Sequence, residues 1–123
     1  MQLLILFIGE NEQFDQNKLV DIVKNIPGVE NIWEGEFVGS ILEFEFTEGE
    51  DFSTVRLSSD RETISIFGLG DASLKIALLI QKRYPQPIIA VDSDYSFELI
   101  LDKINSLEQL LQKILESSYQ TVN

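Results

Sequence analysis

The sequence predicts an α+β fold: a single globular domain over residues 1–123, with a mainly antiparallel sheet and three helices packed on one side. The expected order is β-α-β-β-β-β-α-β-β-α. Three observations predict it. A length of 123 residues suits one domain, large enough to bury about two thirds of its unfolded surface without a metal or disulfide. A hydrophobic content of 44% with 10% aromatics puts the chain among folded and not disordered sequences. Tight-turn signals at Gly39-Ser40 and Ser59-Asp60 join consecutive apolar runs, which makes neighbouring strands antiparallel.

Residues 2–8 are almost continuously apolar and predict a central strand buried on both faces. They lack a basic leader and a small-residue cleavage site, so a signal peptide is not expected. Asp15 is a helix N-cap, and Phe14 and Leu19 have the spacing of a hydrophobic staple. Leu19, Ile22, Val23 and Ile26 form the apolar stripe, and Pro27-Gly28 ends the helix. Strands at 30–38 and 41–48 follow, then a second hairpin at 52–58 and 62–67 with Val55, Leu57, Ile64 and Ile66 toward the core. A helix over 71–84, capped by Asp71 or Ser73, is apolar nearly all round and stops at Tyr84-Pro85. Short strands at 88–92 and 97–101 precede a last helix. Ser106 and Gln109 supply its capping box, and Leu107, Leu110, Leu111, Ile114 and Leu115 its stripe. A frayed tail is expected over 117–123.

The net charge of −12 is uneven: residues 1–62 carry net −10 and residues 63–123 net −2. This disfavours nucleic acid and anionic membranes and favours a basic protein partner. No apolar run approaches the roughly 18 residues of a membrane span. The absence of Cys and His removes thiolate chemistry, the commonest general base and the commonest transition-metal ligand. Catalysis and cofactors are therefore not expected, and the lack of Cys fits a reducing cytoplasm.

Between Lys24 and Arg56 the chain has no basic residue and eight acids. A type II′ turn at Gly39-Ser40 would set Phe37 opposite Leu42, Glu36 opposite Glu43, Glu34 opposite Glu45 and Trp33 opposite Phe46. That register puts Glu34, Glu36, Glu43 and Glu45 on one face. Trp33, Phe37, Leu42, Phe44 and Phe46 fall on the other, with room for a ring over Gly35. Glu48, Glu50 and Asp51 continue the acidity into the next turn. Like charges opposite each other cost up to about 1 kcal/mol per pair. A solvated face screened by salt is the plain reading. The functional one is a docking face for a basic partner, with Glu34, Glu36, Glu43 and Glu45 steering and Glu48, Glu50 and Asp51 at its rim. A flat sheet does not wrap a cation, so no metal site is expected there.

Asp92-Ser93-Asp94 follows a strand, where Mg²⁺ is held in nucleotide-handling enzymes. Asp and Ser are also simply turn formers. Binding of a small ligand or divalent metal through Asp92 and Asp94 is the alternative reading, and a structural or assembly role is a further one. Gly68-x-Gly70-x-x-Ser73 lacks the third Gly of a phosphate loop, and Asp71 would repel a phosphate.

Ile64-Ser65-Ile66-Phe67-Gly68-Leu69-Gly70-Asp71-Ala72-Ser73-Leu74, with Gln81-Lys82-Arg83-Tyr84-Pro85-Gln86-Pro87 and Asp92-Ser93-Asp94-Tyr95-Ser96-Phe97, resembles small uncharacterised bacterial proteins. Some of these are similar to immunity proteins of polymorphic-toxin or contact-inhibition systems. The resemblance spans about residues 62–116. It implies a cytoplasmic, non-enzymatic inhibitor of a toxin domain. The acids lie mostly outside that span and suit a basic toxin independently.

Overall fold

A computed structural model describes residues 3–68 and 70–121, the last four as helical backbone only. Met1, Gln2, Leu69 and the end of the tail lie outside the described residues. The elements are β1 (Leu3–Phe7), α1 (Gln16–Val23), β2 (Val29–Phe37), β3 (Ser40–Glu48), β4 (Asp51–Ser58), β5 (Ile64–Phe67), α2 (Asp71–Arg83), β6 (Ile89–Asp92), β7 (Glu98–Ile100) and α3 (Leu107–Thr121). A 3-10 turn at Leu101–Lys103 precedes α3. This is the expected α+β order, and α3 runs four residues beyond Ser117.

The strands form one antiparallel sheet of order β2-β3-β4-β5-β1-β6-β7. Register and burial together define its two faces. Leu42, Phe44 and Phe46 of β3, Val55 and Leu57 of β4, Ile64 and Ile66 of β5, Leu4 and Leu6 of β1 and Ala90 of β6 point one way. All are buried in one core with Leu19, Ile22 and Val23 of α1, Leu74, Ile76, Ala77 and Ile80 of α2 and Leu110 of α3. The helices therefore cover this inner face. Each large side chain buried there contributes roughly 1.5–3 kcal/mol, which outweighs the turn and charge terms and holds β3, β4, β5 and β1 in register.

β1 corrects one expectation. Only Leu4 and Leu6 are buried; Leu3, Ile5 and Phe7 face the opposite side and are half-buried. The strand is apolar on both faces, but the helices cover one.

The β2–β3 register is a second correction. The turn is Val38-Gly39, with Phe37 paired to Ser40. Both turn residues have positive φ (39° and 83°), as a type I′ turn requires. Two register shifts follow, between Glu34 and Phe37 and between Glu30 and Trp33. Each interval holds a positive-φ residue, Gly35 and Asn31. A bulge adds one residue to one strand and so exchanges its faces. Trp33 consequently pairs with Glu43, Glu34 with Leu42, Glu30 with Glu45 and Val29 with Phe46. β2 is an edge strand, exposed along most of its length. It buries too little to impose the ideal register, and bulges and charges are ordinary protection for such an edge.

Local chemistry sets the helix ends. Asp15 caps α1, accepting from the Lys18 N–H at 3.1 Å. Its own N–H donates to the Tyr84 hydroxyl at 2.9 Å, and Tyr84 meets Phe14 edge-on with centroids 5.5 Å apart, which ties α1 to the end of α2. Ser106 Oγ accepts from the Gln109 N–H, while Gln109 Oε1 takes the Asn105 N–H one residue before the cap. The cap of α2 is not the expected Asp71 or Ser73. The N-cap is Gly70, which has no side chain to offer, and Asp51 at the start of β4 accepts from the Ala72 N–H at 2.9 Å. Ser73 instead bonds Ser53 Oγ and the Phe67 carbonyl. In the β4–β5 turn, Ser58 Oγ (2.6 Å) and the Glu62 N–H (2.9 Å) both donate to Asp60. The two bonds hold its carboxyl below the usual carboxylate range.

Two stability predictions follow from these turns and caps. Val38 is 90% exposed and β-branched at positive φ. Val38→Asn should therefore stabilise the fold by roughly 0.5–1 kcal/mol in urea unfolding, because Asn tolerates that conformation. Asp51→Ala should cost about 1 kcal/mol as a lost cap, whereas Asp71→Ala should cost only about 0.3–0.5 kcal/mol through the helix dipole. Equal losses would return the cap to Asp71.

Candidate functional site

The outer face of the sheet has no described helix against it, and its composition divides in two. At the β5-β1-β6-β7 end it presents Phe67, then Leu3, Ile5 and Phe7, then Ile89 and Val91, then Ile100. None of these belongs to the core shared with the helices. Val91 is buried, Ile100 is exposed and the others are half-buried. Val91 pairs with Ile5 on one side and with the exposed Glu98 on the other, and Ser65 is the β5 partner of Ile5.

At the β2-β3-β4 end the same face is acidic and aromatic. Glu30 and Glu45 are register partners, as are Trp33 and Glu43, and Glu43 in turn pairs with Arg56. Arg56 Nε donates to Glu43 Oε1 at 2.5 Å, and the Arg56 guanidinium lies 5.0 Å from the centre of the Phe67 ring. Trp33, Glu43, Arg56 and Phe67 thus form a line across four strands that joins the two halves. Both ion-pair partners are more than a third exposed, so the pair contributes at most about 1 kcal/mol. Asn31 Nδ2 donates to Glu45 Oε1 at 2.5 Å. Trp33 packs over Gly35, where an added Cβ would lie 3.2 Å from the ring, and meets Phe37 edge-on at 6.0 Å. The expected ring over Gly35 is present, but on the outer face. Trp33 and Phe37 stay 46% and 57% exposed.

The seven acids singled out by sequence do not share one surface. Glu43 and Glu45 lie together on the outer face. Glu34 pairs with inward-facing Leu42 and takes the Gln16 side-chain N–H at 3.1 Å, which places it toward α1. Glu36 is exposed in the bulged segment without a register partner. Glu48 is ion-paired to Lys75 of α2 at 2.6 Å, Glu50 is exposed in the β3–β4 turn, and Asp51 caps α2. Sequence reasoning missed Glu30 and the apolar block. The signal for the block was present: a strand apolar on both sides, in a sheet with helices expected on one.

Asp92 is 2% exposed, and its carboxylate accepts from the Ser96 N–H at 2.6 Å and from Ser96 Oγ. Both oxygens therefore serve the turn into Phe97. Among the described residues, no group of three or more His, Cys, Asp or Glu could hold a metal ion. No described helix is long and apolar enough to cross a membrane. A recess of about 600 Å³ lies on the helix side, between α2 and the start of α3, lined by Leu78, Leu79, Lys82, Leu101 and Leu107. Lys75, the ion-pair partner of Glu48, also lines it.

Compared with known proteins, the chain matches no family model, no curated sequence and no solved structure.

The chain has a single Trp, so its fluorescence reports the acidic half. At low ionic strength Cs⁺ should quench Trp33 more strongly than iodide, because Glu30, Glu43 and Glu45 concentrate cations around it. The difference should shrink as salt rises toward 0.5 M. Equal quenching by both ions at low salt would place Trp33 outside the acidic field.

Proposed function

We propose that this chain is a non-enzymatic, acidic protein-binding module that receives a basic partner on the open face of its sheet. The observation that carries this reading is the acidic half of that face. Glu43, ion-paired to Arg56, and the cross-strand pair Glu30 and Glu45 lie beside the exposed rings of Trp33 and Phe37. Aromatic side chains flanked by charge of one sign suit protein contact: the rings offer area to bury, and the charges steer approach. The resemblance to immunity proteins extends the proposal to a cytoplasmic inhibitor of a basic toxin domain. The lack of His and Cys, with Asp92 engaged in a turn, supports a binding role over a catalytic one.

Glu30 joins Glu43 and Glu45 as the steering residues to alter, in place of Glu34 and Glu36, which do not pair on that face. The partner is sought by low-salt pull-down from the producing organism and in the product of the neighbouring reading frame. With that partner in hand, the association rate should fall about tenfold or more between 20 mM and 300 mM salt, with the dissociation rate little changed. Glu30→Lys with Glu45→Lys should reduce the low-salt association rate comparably. In the free protein the cross-strand pair stays like-charged and loses the Asn31 hydrogen bond to Glu45, so the melting temperature should stay near that of the wild type or fall slightly. An association rate indifferent to both salt and charge reversal would make the acids bystanders.

A further inference from the structure

Resting on the protein-binding reading above, we infer that the apolar half of the open face seats a cationic amphipathic helix of the partner, laid across the strands. Its apolar stripe covers β6, β1 and β5, and its basic end reaches the acids of β3 and β2.

The apolar block is the first support. Leu3, Ile5, Phe7, Phe67, Ile89, Val91 and Ile100 lie on a face that no described helix covers, with Ser65 beside Ile5 and Glu98 beside Val91. A contiguous apolar surface of this kind marks an interaction site more often than chance exposure does. Geometry is the second. Adjacent strands lie about 4.8 Å apart, so β6 to β3 spans about 19 Å. A helix rising 1.5 Å per residue crosses that in about 13 residues, an ordinary length. The same sheet already accepts helical stripes of Leu, Ile and Val on its inner face.

Charge selects the occupant. Glu30, Glu43, Glu45 and Glu98 lie on this face with Arg56. Lys103 and Lys113 share a recess with Glu98 and Ile100 at the β7 edge, and the whole chain carries −12. A second copy would bring another −12 against it. A helix with Leu or Ile over the apolar block and Lys or Arg at one end matches both halves at once.

The test uses the intact protein and a synthetic peptide of about 18 residues. The peptide carries Leu at i, i+3, i+4 and i+7 spacing and Lys elsewhere, without Trp. Binding is followed by calorimetry and by Trp33 emission, alongside light scattering of the protein alone. The peptide should bind with a shift in Trp33 emission. Ile5→Gln with Ile89→Gln should weaken it by about tenfold or more without changing its salt dependence. Ile100→Gln, at a position already 57% exposed, tests the same seat with little risk to folding. Glu30→Gln with Glu45→Gln should flatten the salt dependence instead.

Affinity untouched by the apolar substitutions but lost with the acidic ones overturns the seat while leaving a charge-steered binding module in place. A dimer in the wild type that Ile100→Gln abolishes makes a second copy the occupant and overturns the inference. A monomer that leaves the peptide unbound also overturns it, whereas the partner pull-down decides the broader reading separately.

Discussion

Described helices on one face of a seven-stranded sheet are the constraint from which the rest of this structure follows. The apolar stripes of α1, α2 and α3 meet the inward set running from β3 to β6, and that single core holds the central strands. Its strength comes from many buried Leu, Ile, Val and Phe side chains, each contributing more than any surface ion pair here. The price is an opposite face left open, including the outward residues of β1. A strand that is apolar on both sides then has one face against the helices and one that no described helix covers.

The same core explains why the edge hairpin departs from ideal pairing. β3 is held by Leu42, Phe44 and Phe46, and their burial leaves Glu43 and Glu45 outward. β2 has no comparable anchor. Two bulges therefore bring Trp33 beside Glu43 and turn Glu34 toward α1 without disturbing the core. The bulges also reduce the hazard of a long exposed edge. The acid-rich stretch is put to several uses: Asp51 caps α2, Glu48 ties β3 to α2 through Lys75, and Glu43 anchors the Arg56 that lies over Phe67. On the outer face this leaves Glu30, Glu43 and Glu45 beside two exposed aromatic rings.

The proposed partner surface joins two halves of different physical character. The acidic half acts at a distance, through a field that salt screens. The apolar half acts only in contact, by removing from water what its partly buried side chains still expose. Such a division lets one face attract a basic partner and then hold it, and it disfavours a second copy of the chain through charge.

The sequence by itself determined what depends on near neighbours along the chain. Period-two and helical patterning specified the order of elements, the inward residues of β3, β4 and β5, the Asp15 and Ser106 caps and the turn at Ser58–Glu62. The overall charge and the acid-rich stretch were equally plain. The tertiary structure alone decided what depends on distant neighbours. Asp51 caps a helix 21 residues away from it in the chain because the fold brings the β3–β4 turn to the start of α2. The edge position of β2 permits the bulges that redistribute Glu34, Glu36 and Trp33 between faces. Continuous apolarity in residues 3–7 reads the same whether a second layer covers it or not, since the pattern records what a side chain prefers and only the assembled fold determines which side the helices occupy.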